Sequence, residues 1–284
     1  MSAHNTDFPI IRGILFTVSL PFSRNANVSS QIPCYIVNLA SDTERRSSME
    51  AMLAQHGVSA TFFAAVDGRI MAEDELESHV DRVKAEREYG PLTRAEIGTS
   101  LSHIEIYRDM VRHGIPHAVI LEDDVCLREG FPALLDTTNP ASLAQTFSPD
   151  EPAMLQLTHV DRAYRGSTRH TLGSMGSIVR PYGNVWLTSG YFITLAAARR
   201  LATELYPVWT VADHWGRFEE RGYLKIWALT PHPVWESEHA QQSNISPQRT
   251  PRRKAPKTLG SRLRRLAREL VKPLQVQKLP KSPE

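Results

Sequence analysis

Glu122-Asp123-Asp124 sets three carboxylates in consecutive positions directly after the apolar run Ala118-Val119-Ile120-Leu121. Such a run reads as a buried strand. In α/β proteins a strand delivers the chain to the sheet's carboxyl edge, where these folds place ligands. Adjacent carboxylates repel one another unless a cation or donor groups compensate. Hard oxygen ligands suit Mg²⁺ or Mn²⁺, which bind through one or two carboxylates plus substrate phosphates. The chemistry this serves is departure of a diphosphate, whose growing charge a metal neutralises. Taken alone, the triplet reads equally as an acidic loop or as a helix start favoured by the helix dipole.

The elements that must position these acids alternate in type. Residues 32–38 form a short apolar run, read as a buried strand. Ser41-Asp42-Thr43-Glu44 offers a capping box, Met49, Met52 and Leu53 an apolar helical stripe, and Gly57 a helix stop. A second strand over 59–66 closes on the turn dipeptide Asp67-Gly68. The charged stretch 73–88 reads as a solvated helix or loop. Thr93-Arg94-Ala95-Glu96 opens a further helix, with Ile97, Leu101, Ile104 and either Ile106 or Tyr107 on its buried side, that ends near Gly114. Residues 117–121 are a third strand. Strands over 153–158 and 185–194 and a helix over 196–205 follow. Strands alternating with helices predict an α/β fold with a mostly parallel central sheet.

At 284 residues, 41% hydrophobic and 23% charged, the chain has the composition of an ordinary globular protein with room for a substantial core. Its net charge of +2 hides an asymmetry. Residues 248–284 hold 12 of the Lys and Arg residues against two acids, so that segment carries +10 and the rest −8. A uniformly basic nucleic-acid binder is excluded. Within the basic segment, 246–256 reads as a linker rich in Pro, Arg and Lys. Leu263, Leu266, Ala267, Leu270 and Val271 then share one helical face, with Arg262, Arg264, Arg265, Arg268 and Lys272 on much of the other, before Pro273. That is a basic amphipathic helix of the kind that lies on anionic bilayers; a poorly ordered basic tail is the alternative. Cys34 and Cys126 provide neither a disulfide framework nor a Cys-rich zinc site and point to a reducing compartment. The apolar stretch 8–22 is too short and too interrupted to span a bilayer. The expected organisation is an N-terminal extension over 1–28, a folded body over 29–247 and a basic linker and tail over 248–284.

Five blocks, in order, resemble glycosyltransferase family 25, the lipooligosaccharide galactosyltransferase group. They are Tyr35-Ile36-Val37-Asn38-Leu39 with Glu44-Arg45-Arg46; Ala65-Val66-Asp67-Gly68; Glu96-Ile97-Gly98 with Leu101-Ser102-His103; Val119-Ile120-Leu121-Glu122-Asp123-Asp124-Val125; and Gly190-Tyr191-Phe192-Ile193-Thr194 with Ala197 and Leu201. The resemblance covers about residues 31–246. It implies a GT-A-like nucleotide-sugar-binding fold and a metal-dependent, inverting transfer of a hexose, most commonly from UDP-galactose, to a lipooligosaccharide or lipopolysaccharide acceptor. Glu122-Asp123-Asp124 falls where such enzymes keep a DxD-type motif. Asp124 would then ligate Mn²⁺ or Mg²⁺ directly, with Glu122 as a second ligand, and Glu122 and Asp123 would hold the ribose, the sugar or a metal-bound water.

The resemblance extends expectations to other residues. Arg45 and Arg46 suit phosphate or uracil recognition by guanidinium geometry, against a solvated first helical turn. Asp67 is read either as a uracil or ribose contact or as a plain turn residue. Ser102 and His103 are placed on the donor pocket or its diphosphate, with a buried, backbone-satisfied histidine as the alternative. Asp213 is the first candidate for the base that an inverting transfer needs, against a helix N-cap; Glu236 and Glu238 are its reserves. His232 and His239 are candidates for a third metal ligand. Trp186, Tyr191 and Trp215 would stack on a sugar or fill the core. The expected partners are a nucleotide sugar, a lipid-linked glycan and an anionic membrane surface, on the cytoplasmic side of the inner membrane. A UDP-glucose-dependent enzyme, a non-catalytic nucleotide-sugar- or glycan-binding protein at the membrane, and a metal-dependent phosphohydrolase are the rival readings.

Overall fold

The structure, a computed structural model, describes residues 30–237 and 275–281. Along the chain it forms β1 (Cys34–Asn38), α1 (Thr43–His56), β2 (Thr61–Ala64), α2 (Glu73–Ser78), α3 (Arg82–Glu88), α4 (Arg94–His113), β3 (His117–Glu122) and β4 (Val125–Leu127). Then come α5 (Phe131–Leu135), α6 (Leu143–Thr146), β5 (Ala153–Gln156), β6 (Arg162–Tyr164), β7 (His170–Thr171), β8 (Ser177–Val179) and β9 (Gly190–Thr194). The last are α7 (Leu195–Glu204), α8 (Trp215–Glu220), β10 (Lys225–Thr230), β11 (Val234–Glu236) and β12 (Val276–Lys278).

Eight strands form one sheet in the order β2-β1-β3-β9-β5-β10-β8-β7. β2, β1 and β3 are parallel neighbours, as are β5 and β10. β9 runs antiparallel between β3 and β5, and β8 antiparallel between β10 and β7. Six strands thus share a direction and two reverse it. This is the α/β class the alternation predicts, with the reversal at β9 as the unforeseen part. Strand residues alternate between two cores, as a two-faced sheet requires. Cys34 and Ile36 meet Met49 and Leu53 of α1 and Phe131 of α5 on one side. Tyr35 and Val37 meet Ile97, Leu101 and Ile104 of α4 and Leu201 of α7 on the other.

Local chemistry explains most boundaries. Thr93 caps α4 in a full capping box with Glu96, and Gly114 ends it in the left-handed conformation. The box expected at Ser41 does not form: α1 starts at Thr43 behind Asp42, whose side chain makes no cap bond. The 73–88 stretch is two short helices, each burying one residue, Leu76 and Ala85. On α4 burial extends past the expected stripe to Ser102, His103, Glu105 and Arg108, because α7 and the 206–211 segment cover its far side. Arg108 is kept in that interior by Glu105 at 2.6 Å and by the Tyr206 ring at 4.2 Å.

The apolar stretch 8–22, the amphipathic helix expected over 259–272, Glu238 and His239 lie outside the described residues. Among the described residues no helix is long and apolar enough to cross a membrane. Past the basic segment the chain comes back to the body. β12 pairs antiparallel with β6, and the Gln275 carbonyl accepts the Arg165 N–H at 2.8 Å.

Candidate active site

At the carboxyl ends of β2, β1 and β3 the sheet opens into a cleft. Its walls are the β1 exit and the start of α1, the Ala65-Val66-Asp67-Gly68-Arg69 turn, the first turns of α4, and Glu122-Asp123-Asp124. The turn lies on α4 backbone to backbone: a Cβ at Gly68 would meet the Arg94 carbonyl oxygen at 2.1 Å, and one at Gly98 the Val66 carbonyl oxygen at 2.5 Å. Ser102 ties the two together, its hydroxyl accepting the Val66 N–H and donating to the Gly98 carbonyl, both at 2.8 Å. It borders the cleft and clamps the turn to the helix.

Glu122 ends β3, and Asp123 and Asp124 make the turn into β4. Asp123 accepts from Asn38 Nδ2 at 2.7 Å and from Arg45 at 3.0 Å. The same Arg45 nitrogen reaches Asp124 at 3.3 Å. Asn38 was not foreseen; the only signal was its place at the end of β1, beside the triplet strand. Burial raises the Asp124 carboxyl, Arg45 lowers it, and Asp123 and Glu236 raise it further. Glu122 accepts the Thr188 hydroxyl at 2.6 Å. Burial, then the charge of Asp124, push its carboxyl up to about 8, and Asp213 contributes in the same sense. Asp213 thus acts on Glu122, and Glu236 on Asp124, through their charges. His214, not Asp213, is the N-cap residue of α8.

Three expectations change. Arg45 and Arg46 are adjacent on α1 and point about 100° apart. Arg45 faces the acids, while Arg46 pairs with Glu50 at 2.9 Å and lies 4.3 Å over the Phe62 ring, outside the cleft lining. Asp67 is held by Arg69 through both carboxylate oxygens (2.7 and 2.6 Å), which keeps its carboxyl below the usual range. The unforeseen Arg69 is thus the cationic group that Asp67 fixes on the cleft wall. His103 does not reach the cleft. Fully buried, it holds Tyr191 Oη at 2.7 Å through Nδ1, and Tyr107 Oη meets Tyr191 Oη at 2.8 Å. Its Nε2 makes no hydrogen bond and lies 3.9 Å from Glu122.

His232 is buried edge-on against His159 at 4.9 Å and is also absent from the cleft lining. Tyr191 and Trp215 belong to the core, whereas Trp186 is 39% exposed. Among the described residues no three His, Cys, Asp or Glu side chains form a metal cage. Glu122 and Asp124 are nonetheless chemically suited to a hard divalent cation that takes its remaining ligands from a diphosphate. The charge of Asp124 raises the Glu122 carboxyl, and a cation between them would reverse that.

The family model for "Glycosyltransferase family 25 (LPS biosynthesis protein)" matches residues 31–215, a span that contains the whole cleft and Asp213. The chain is 30% identical over 173 residues to the inactive glycosyltransferase 25 family member 3 of Mus musculus, covering 59% of this chain and 28% of that protein. It is 26% identical over 174 residues to the lacto-N-neotetraose biosynthesis glycosyltransferase LgtB of Neisseria meningitidis serogroup B, covering 58% of each. Against procollagen galactosyltransferase 2 of Homo sapiens it is 25% identical over 231 residues, 73% of this chain and 35% of the relative. The matched region thus spans between about a quarter and three fifths of the length of these relatives.

Proposed function

The chain belongs to glycosyltransferase family 25, and from that premise we propose that it transfers galactose from UDP-galactose to a lipid-linked lipooligosaccharide or lipopolysaccharide glycan with inversion at the anomeric carbon. One observation carries the reading: the acid triplet and Arg45 share a single cleft at the sheet's carboxyl edge, inside the family match. A relative named as a procollagen galactosyltransferase supports the choice of sugar, and one named as a lacto-N-neotetraose biosynthesis glycosyltransferase, with the family's description as an LPS biosynthesis protein, supports the choice of acceptor.

In this reading the nucleotide lies in the β2-β1-β3 cleft, with Arg45 and Arg69 as the cations for its diphosphate. Asp124 and Glu122 would hold Mn²⁺ or Mg²⁺, which supplies neutralisation of the departing diphosphate. Asp123, fixed by Asn38 and Arg45, keeps the turn in shape. The acceptor hydroxyl oxygen bonds to the anomeric carbon as the bond from that carbon to the phosphate oxygen breaks. Asp213 takes the hydroxyl proton, and UDP leaves. Much of the rate comes from aligning the two substrates. The basic 248–274 segment would dock the protein on the inner face of the cytoplasmic membrane, where such an acceptor is presented.

The test is UDP release from UDP-galactose, UDP-glucose and UDP-N-acetylglucosamine with Mn²⁺ and a lipooligosaccharide extract. The expected result is release from UDP-galactose, abolished by chelator and by Asp124→Ala, with kcat lowered about 100-fold or more in Asp213→Asn. Release from UDP-glucose alone corrects the sugar. UDP bound without release from any donor favours a nucleotide-sugar-binding protein, the reading that the inactive mouse relative supports.

A further inference from the structure

We infer that the 185–189 loop is the acceptor's sugar platform, on which the exposed indole of Trp186 takes the apolar face of a pyranose ring with Leu187 beside it. The inference rests on the transferase reading for what occupies the platform. It rests on geometry for where the platform is.

Leu187 has φ +78°, the left-handed region, and is the only non-glycine with positive φ among the described residues. For a branched side chain that costs about 1–2 kcal/mol. The conformation is held from below. Leu187 N–H donates to Asp213 Oδ2 at 3.4 Å, and its carbonyl accepts from Trp215 Nε1 at 3.0 Å and Gln156 Nε2 at 3.4 Å. Trp215 and Gln156 are fully buried, so the core sets the loop's shape. What that shape achieves is exposure: Trp186 and Leu187 stand side by side, 39% and 40% exposed. The indole is oriented by His214, stacked at 5.4 Å with an interplanar angle of 11°. His214 is itself fixed by Thr210 at 2.8 Å and by the Tyr89 ring edge-on. Two apolar side chains kept at the surface at the cost of backbone strain are built for a ligand and not for packing.

The neighbours say which ligand. Thr188, the next residue, donates to Glu122 Oε1, and the Ser189 carbonyl accepts the Glu122 N–H at 3.0 Å. In the sheet, β9 flanks β3 on the side opposite β1. The nucleotide cleft therefore lies to one side of Glu122 and the platform to the other, and no residue of 185–189 lines the cleft. A two-substrate enzyme needs such a second berth next to its acids. A pyranose offers what this one accepts: a face of C–H groups for an aromatic ring, with hydroxyls around the rim.

Saturation-transfer NMR on the full chain with UDP tests this, using methyl β-galactoside, methyl β-glucoside and methyl β-N-acetylglucosaminide as probes. Transfer should fall on the ring protons of one face of at least one glycoside, vanish in Trp186→Ala and persist in Trp186→Phe. UDP affinity by calorimetry should stay within about twofold. Transfer that survives Trp186→Ala, transfer to none of the glycosides, or UDP binding weakened about tenfold or more by that variant would overturn the assignment. Because Trp186 is exposed, folding of the variant is readily checked by its unchanged melting temperature. Failure of the transferase reading shows separately, as no UDP release from any donor, and leaves the binding result standing.

Discussion

Glu122 sits where three influences meet. Burial and the charges of Asp124, Asp123 and Asp213 raise its carboxyl to about 8, and only the Thr188 hydroxyl opposes them. Behind it, burial pushes His103 down to about 3, so the ring is neutral at physiological pH. Its Nδ1 shares a hydrogen bond with Tyr191 Oη, and Nε2 is the nitrogen that faces Glu122. Since the folded pKa of Glu122 is above the unfolded value, its contribution to stability is full below about pH 4.5 and is lost as pH rises through about 8. Without added metal, the melting temperature should therefore fall by roughly 5 °C between about pH 6 and pH 9, and Glu122→Gln should remove that part of the fall. Equal pH profiles for the two proteins would refute the assignment. The sequence marked Glu122, Asp123, Asp124 and Arg45 because residue type and adjacency are local. That Arg45 rather than Arg46 faces the acids depends on the rotation of α1 against the sheet, and that Asp67 is spent on Arg69 depends on the fold of one turn. Neither is encoded in spacing.

Between elements, the contact that shapes the cleft is the seating of the 65–69 turn on α4. Gly68 and Gly98 allow it and Ser102 locks it. Gly98→Ala would place a methyl group against two backbone atoms, at 2.5 and 2.6 Å, with no flexible side chain to yield. It should cost about 3 kcal/mol or more and about 8 °C in melting temperature. Ser102→Ala leaves the Val66 N–H unpaired and should cost about 1–2 kcal/mol. A Gly98→Ala protein as stable as the parent would mean that the turn is not seated there. The strands β1, β3 and β5 and the helices α4 and α7 were legible because apolar runs and capping residues declare themselves locally. The expected 185–194 strand is half right: only Gly190 onward pairs, because Leu187 turns the backbone out of extended geometry. β8, β10 and β11 went unread. In β10 an exposed Lys225 and half-buried Trp227 and Thr230 blur the apolar run; β8 and β11 are three residues each, and β11 owes its state to β4, far away in sequence.

On the scale of the molecule, charge is segregated: −8 on residues 1–247 and +10 on 248–284. The protein should co-sediment with vesicles of about 30% anionic lipid and be released at about 0.5 M NaCl. Replacing Arg262, Arg264, Arg265 and Arg268 by Gln should weaken attachment by about two orders of magnitude or more, at roughly 1 kcal/mol per charge. Equal binding to neutral vesicles would rule this out. The amphipathic pattern was plain in the sequence, but the return of the chain at β12 was not, since three residues of pairing leave no periodic trace.

That return has a mechanical meaning. The chain departs at Ser237, whose N–H bonds the Asp124 carbonyl at 2.7 Å, and is caught again at Gln275. These two attachment points stand on either side of the basic segment in the sequence, and one of them is on the acid turn itself. By linkage, whatever factor β12 docking adds to surface attachment, surface attachment adds to β12 docking. Unfastening β12 alone would probe that coupling while leaving every basic residue in place.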